Sequence, residues 1–245
     1  MNINEQLAVQ SYCFRNFKDN QKVVELVKEC GLSAIELCGV HADFNDENTF
    51  DDLLKVYADG GVGIVSIGVE GFSNDEAAER KRFDFSKKAG LKVISCDFRV
   101  NTVPDSYRTA EKLADEYDIN VAIHNHGGRH WLGAAQMLDQ VFADTSPRIG
   151  LCLDTAWAMH SHEDPVTLTE RFKDRLYSLH LKDFVFDRAG NPEDVVVGTG
   201  NLDLAAVLDL LDKQGFSGPA VIEYEGDVED PAPAVAKCVE AIKAI

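Results

Sequence analysis

The feature that most restricts how this chain can fold is a recurrence of short apolar runs. They return about every 26 to 30 residues: LAVQSY from Leu7, SAIELC from Ser33, GIVSIGV from Gly63, LKVISCD from Leu91, INVAIH from Ile119, IGLCLD from Ile149 and LYSLHL from Leu176, with a wider gap before PAVIEY from Pro219. Between them lie segments with apolar residues at helical spacing, such as Val23, Val24, Leu26, Val27 and Cys30 behind an Asn20 cap, or Leu204, Val207, Leu208 and Leu211. Ser73 followed by Glu76 reads as a capping box, and Pro104 as a first-turn proline. Strand and helix alternating eight times predict an α/β fold, a (β/α)8 TIM barrel, which typically needs roughly 250 residues. The chain has 245 and no Pro/Gly/Ser-rich linker, so one domain is expected over residues 1–245.

Alternation within the runs points the same way, because residues i and i+2 share one face of a strand. Gly150, Cys152 and Asp154 oppose Leu151 and Leu153, while Ala122 and His124 oppose Val121 and Ile123. Small or polar residues then face the barrel axis, and bulky ones face the helices. The competing fold, an open doubly wound sheet, usually carries a Gly-rich phosphate loop after its first strand, and none follows Tyr12. The widest interval holds DRAGNPEDVVVGTGNLD, expected as an extended loop over the barrel mouth with Gly198 and Gly200 as turn formers.

Charge removes several partners. With 42 acidic against 24 basic side chains the formal net charge is −18, which repels phosphate backbones and anionic lipid, and no Lys/Arg-rich run offsets it. No apolar run reaches the roughly 18 residues of a membrane span, and MNINEQLAVQSY lacks the pattern of a secretory leader. The six cysteines are far apart, without a C-x-x-C pair, and read as reduced core residues of a cytoplasmic protein. Nucleic acid and membrane are not expected partners; a small molecule is, with homo-oligomerisation left open.

All seven histidines, and both tryptophans, fall at predicted strand ends or in the loops after them, the end where barrels of this type build active sites. His124, Asp154, His180 and Glu223 end the fifth to eighth strands. Neighbouring strands lie about 4.8 Å apart, so these side chains can converge. Two imidazoles and two carboxylates suit one divalent ion, Mn²⁺, Zn²⁺, Co²⁺ or Fe²⁺. The alternative is a hydrogen-bonded polar layer without metal, but two buried carboxylates need balancing charge. His126 shares the face of His124 and reads as an acid/base group near neutral pH or a hydrogen-bonding support. Lys182 shares the face of His180 and would polarise a substrate oxygen, or else pair with Asp154 or Glu36. Glu36 and His41, at the second strand and beyond it, are assigned to substrate binding, Glu36 by holding a sugar hydroxyl or else by merely orienting a neighbour. Arg129, His130, His160 and His162 read as rim residues.

In order along the chain, AIELCG, VAIHNHGG, GLCLDTAW, SLHLKDF, VVVGTGNLD and VIEYEGD resemble the strand-end motifs of the xylose isomerase-like barrel superfamily, in particular its sugar phosphate isomerase/epimerase branch. The resemblance implies one divalent metal bound by Glu, Asp, His and Glu, which map onto His124, Asp154, His180 and Glu223. His124 departs from that pattern, since the family commonly has Glu in an E-N-H triplet, and its two glutamates serve as an acid/base pair on opposite faces of the substrate. Trp157 stands where the family often has His, and is read either as a stacking surface for a sugar or as loop packing.

The resemblance therefore implies an isomerase or epimerase of a small keto sugar or related polyol, working through an enediolate with Glu223 as base, assisted by His126 and Lys182. With one glutamate of the pair gone, a hydro-lyase acting on a keto sugar or inosose is the alternative. An abasic-site endonuclease, also of this superfamily, needs a multi-zinc cluster and a DNA-binding surface that the charge opposes. A non-catalytic sugar-binding barrel is the remaining class.

Overall fold

The computed structural model describes residues 6–245. Residues 1–5, which belong to the expected domain and to the segment read as lacking a leader, lie outside the described residues. Eight parallel strands close into a barrel: β1 (Leu7–Gln10), β2 (Ala34–Leu37), β3 (Gly63–Phe72), β4 (Val93–Phe98), β5 (Asn120–His124), β6 (Ile149–Asp154), β7 (Leu176–Leu181) and β10 (Ala220–Ile222), which returns to pair with β1. The fold is a (β/α)8 TIM barrel, and the open sheet is excluded by that closure.

Inside and outside follow the strand alternation. Ala122 and Cys152 pack with Val93 and Tyr177 in a small cluster of their own. Val121, Ile123, Leu151 and Leu153 instead join the main core shared with the helices. That core includes Val23, Val24, Leu26 and Val27 of α1 (Asn20–Glu29). Each such side chain contributes about 1.5–3 kcal/mol when fully buried, which fixes the helices against the strands.

Two caps differ from the sequence reading. Asp19, not Asn20, caps α1, accepting from the Gln21 N–H at 3.0 Å. The helix α3 (Glu76–Lys88), which follows α2 (Phe50–Asp59), is capped by Asp75 rather than Ser73. Glu79 replaces Glu76 in the reciprocal role, accepting from the Ser73 and Asp75 N–H groups at 2.8 and 3.2 Å. The box survives, moved along the chain, because Asp is as good an acceptor as Ser.

Two further differences concern the mouth. After α4 (Asp105–Tyr117) and α5 (Ala135–Asp144), the short helix α6 (Thr155–His160) follows β6 directly, so Trp157 and His160 lie in a helix rather than a loop. It is succeeded by α7 (Pro165–Arg171). The expected extended loop contains an antiparallel hairpin, β8 (Asp183–Phe186) with β9 (Pro192–Val195). Asp183 anchors the turn beyond the hairpin: its carboxylate accepts from the N–H groups of Gly198, Gly200 and Leu202 at 3.0, 2.8 and 2.9 Å. Gly200 has to be glycine because a Cβ would lie 2.5 Å from that carboxylate and 2.6 Å from the Phe184 carbonyl oxygen. Helices α8 (Leu204–Gln214) and α9 (Ala232–Lys243) complete the outer ring. Among the described residues, no helix is long and apolar enough to cross a membrane.

Candidate active site

The four strand-end groups meet. One ligand atom from each of His124, Asp154, His180 and Glu223 lies within 4.8 Å of the others, and all four residues are buried. Register explains the convergence: Asp154 pairs with His180 across β6 and β7, and the Glu223 N–H, just past β10, donates to the Leu181 carbonyl at 3.2 Å. His180 Nδ1 sits 3.0 Å from both His124 Nε2 and Glu223 Oε2. His124 Nε2 is 3.4 Å from Asp154 Oδ2 and 3.7 Å from Glu223 Oε2.

Neighbouring side chains hold these groups in place. Asn125 donates to the Asp154 carbonyl at 3.0 Å and accepts from the Asp154 N–H at 2.8 Å, joining the ends of β5 and β6. Asp154 Oδ1 accepts from the Trp157 N–H at 2.7 Å and caps α6, while Oδ2 is buried without a hydrogen bond and faces His124 Nε2 at 3.4 Å. Thr155 accepts from the Lys182 N–H at 3.0 Å and donates to the Lys182 carbonyl at 2.6 Å.

Glu36 is fully buried beneath His180, with Oε1 2.8 Å from His180 Nε2. Gln10 and Ser95 donate to the same carboxylate at 2.6 and 3.0 Å, and Ser66 donates as well. Its surroundings are thus protein groups, and they suit a positioning role. By accepting the Nε2 proton, Glu36 leaves the Nδ1 lone pair of His180 facing the other three ligand atoms, the usual arrangement behind a metal-bound imidazole.

Electrostatics favour a cation at the centre. Burial and His180 disfavour the His124 imidazolium, yet Asp154 and Glu223 outweigh them and lift its pKa to about 9. Burial likewise opposes charge on Glu223, but Lys182, His180 and hydrogen bonds hold it well below the usual carboxylate range. Two carboxylates facing two imidazoles thus draw in positive charge, which a divalent ion supplies without protonating its ligands. The donor set, and an Asp154 Oδ2 that no hydrogen bond engages, fit such an ion.

Lys182 is also fully buried, but its partners are not the expected Asp154 and Glu36. Its ammonium pairs with Glu225, lies 3.5 Å from Asp194 and 3.8 Å from Glu223 Oε2, and sits 5.3 Å from the Trp157 ring centroid. Burial disfavours its charge, and the surrounding carboxylates more than restore it, so its pKa is raised. Trp157 packs edge-on against Phe184 at 4.9 Å. His126 lies 4.6 Å from His124 between ring centroids; burial, then His124 and His130, push its pKa down to about 4. A cavity of about 490 Å³ opens between Asp97, His126, Gly127, His130 and Trp157. His41 is buried with Nε2 turned to the Phe17 carbonyl at 2.8 Å, a loop contact away from this convergence.

The sequence reading missed Asn125, Thr155, Asp194, Glu225 and Asp97. Glu225 carries a usable signal, since it stands two residues after Glu223. Asp194 carries none, because only the hairpin brings it to Lys182.

Residues 98–245 match the family model described as xylose isomerase-like TIM barrel. Over 208 residues the chain is 30% identical to an inosose dehydratase of Bacillus velezensis, covering 78% of this chain and 63% of that protein, so it spans less than two thirds of that relative's length. Two solved structures share the fold, each with a TM-score of 0.76 and 16% identity: E. coli 3-keto-D-glucoside 4-epimerase, YcjR, in its apo form, and an IOLI protein with a bound zinc atom. The first covers 98% of this chain and 99% of its own, the second 98% of each. With the motif order, the closed barrel and a family match over more than half of its length, the chain belongs to the xylose isomerase-like TIM barrel family.

Proposed function

We propose that this chain is a cytoplasmic, divalent-metal-dependent enzyme that isomerises or epimerises a small keto sugar or related polyol. The observation that carries the reading is the convergence of His124, Asp154, His180 and Glu223, with no hydrogen bond to Asp154 Oδ2, whose near neighbour is His124 Nε2 at 3.4 Å, and with His180 oriented by Glu36. These four would hold one ion, of Mn²⁺, Zn²⁺, Co²⁺ or Fe²⁺ type, as the zinc in the IOLI protein illustrates for a barrel of the same fold. Such an ion supplies Lewis acidity toward the paired oxygens of a hydroxy ketone, acidifying the neighbouring C–H.

The chain's own groups do the rest. Glu223, kept anionic by the neighbouring Lys182 ammonium, accepts the carbon-bound proton. Lys182, charged and held beside Glu223, faces the negative charge that develops on the substrate oxygens. The pKa of His126, pushed down to about 4, lies below the near-neutral range expected for it, so in neutral solution it is an unprotonated imidazole that offers a lone pair to a substrate hydroxyl. Trp157 offers an apolar face to the sugar. All six cysteines are free and buried, which supports the cytoplasmic assignment. A small sugar is the partner on this reading, without nucleic acid or membrane.

Loss of a β-hydroxyl, giving a hydro-lyase on a keto sugar or inosose, is the second reading. Two observations favour it: His124 replaces a second carboxylate, and the relative of Bacillus velezensis is an inosose dehydratase. Incubation of metal-loaded protein with ketoses and inososes in deuterated water tests both. Deuterium at the carbon beside the carbonyl is expected; a product of unchanged formula selects the first reading and loss of water the second. Sugar binding without any exchange would leave a non-catalytic barrel.

A further inference from the structure

Beside the buried cluster the structure brings together a second set of ligand atoms, from Asp97, His126 and His130, again within 4.8 Å of one another. From this set and its surroundings we infer a second, weaker divalent-ion site, separate from the four-ligand site of the proposed function. Asp97 comes from β4, and His126 and His130 from the segment after β5. That segment is held against the end of β4: Trp131 donates its indole N–H to the Phe98 carbonyl at 3.1 Å. It also turns tightly, since a Cβ on Gly133 would lie 2.4 Å from the His126 carbonyl oxygen. Backbone contacts therefore hold the segment that carries both histidines beside the end of β4.

Two of their polar atoms lack any partner although buried, Asp97 Oδ1 and His126 Nδ1. Such atoms are rare in folded proteins, and two in one three-residue set call for a shared occupant. The same residues line the cavity of about 490 Å³, which leaves room for further ligands on an ion. Two imidazoles and one carboxylate with open positions are a donor set used by zinc and other borderline divalent metals. The site should be the weaker of the two because it has one carboxylate instead of two and three ligands instead of four, and because its residues are only half-buried.

Binding has a definite cost at His130. Its Nδ1 accepts from the Leu132 N–H at 3.3 Å, which puts the ring proton on Nε2, 3.4 Å from Asp97 Oδ2. Ligation through Nε2 moves that proton to Nδ1, with no net release, and requires the long Leu132 contact to open. An ion here would also engage His126, so its occupancy would compete with the substrate contact proposed for that residue.

Titration of chelator-stripped, full-length protein with Co²⁺, followed by visible absorption and by calorimetry, tests the inference. Wild type should bind two ions per chain in two phases. Asp97→Asn and, independently, His130→Gln should each abolish the weaker phase and keep the tighter one, with folding checked by circular dichroism. Asp154→Asn should do the reverse. One ion per chain in wild type, lost in Asp154→Asn but kept in Asp97→Asn, would overturn the second site and leave the first. One ion lost only in Asp97→Asn and His130→Gln would uphold the second site and remove the metal from the proposed function. No binding at all, or two full phases in both Asp97→Asn and His130→Gln, would overturn the inference.

Discussion

Two buried carboxylates on different sides of the barrel interior, Glu36 at β2 and Asp154 at β6, have opposite surroundings. Glu36 is surrounded by Gln10, Ser66, Ser95 and His180, each within hydrogen-bonding distance. Asp154 spends one oxygen on the helix that follows it and leaves the other without a hydrogen bond, turned to His124 among the converging ligand atoms. A saturated carboxylate can orient a neighbour, whereas a half-saturated one has a lone pair to give to a ligand. The β2–β4 side thus acts as the support of the site and the β5–β7 side, with β10, as its working face. The family match, residues 98–245, covers that working face and leaves the support outside it.

The sharpest test of the working face is Glu223→Gln, which keeps size and polarity but removes basicity. A general base contributes about 10²–10⁴-fold, so turnover should fall by that order while the protein stays folded. Unchanged turnover would move the base to His126.

On the supporting side the expected loss is smaller and of another kind. Glu36→Gln can no longer hold His180 by a charged acceptor, and weakening such a contact typically costs about 10–100-fold in metal affinity. Calorimetry should show weaker binding at the tighter site with stoichiometry retained. Equal losses in Glu36→Gln and Asp154→Asn would erase the distinction between support and working face.

His124→Glu probes the position where this chain leaves the family pattern. A third carboxylate makes the ligand set formally −3 against a +2 ion, where the native set is neutral around it. The variant should still bind Mn²⁺ but shift preference away from Zn²⁺ and Co²⁺ by about tenfold, with lower native turnover. Competition between the metals in equilibrium dialysis would measure it, and an unaltered ranking would show that His124 does not set metal choice.

How far the sequence reaches depends on the range of the signal. Strand-end identity is local: His124, Asp154, His180 and Glu223 each close a run of apolar residues, and parallel register then brings them together. The support is non-local, since Glu36 and His180 are 144 positions apart and meet only across the barrel axis. For that reason the sequence leaves Glu36 between holding substrate and orienting a neighbour, and its contacts are those of an orienting group. The partners of Lys182 escape the sequence on the same ground: Asp154 and Glu36 are near acids by strand count, but the β8–β9 hairpin supplies Asp194 from a stretch with no apolar periodicity. Short-range acceptor chemistry also leaves the caps of α1 and α3 ambiguous among adjacent Ser, Asn and Asp residues.

Asp194 allows the smallest prediction and isolates the hairpin from both sides of the site. Its side chain is 13% exposed. Burial raises its pKa to about 7, above the ordinary aspartate value of 3.8, with Lys182 and the Glu225 N–H opposing the rise only in part. The folded chain therefore binds more protons at this position than the unfolded one between roughly pH 4 and pH 7. Stability from this group is present below that window and declines as pH rises through it, the opposite of a carboxylate whose pKa is depressed by folding. Asp194→Asn removes the titration while keeping a neutral side chain of the same shape. In urea unfolding the variant should match wild type near pH 3.5 and exceed it by about 2 kcal/mol near pH 8, the full shift being discounted for residual solvent. Parallel curves across that range would mean that Lys182 fully compensates the Asp194 charge, and that the hairpin docks on the site as an ordinary ion pair.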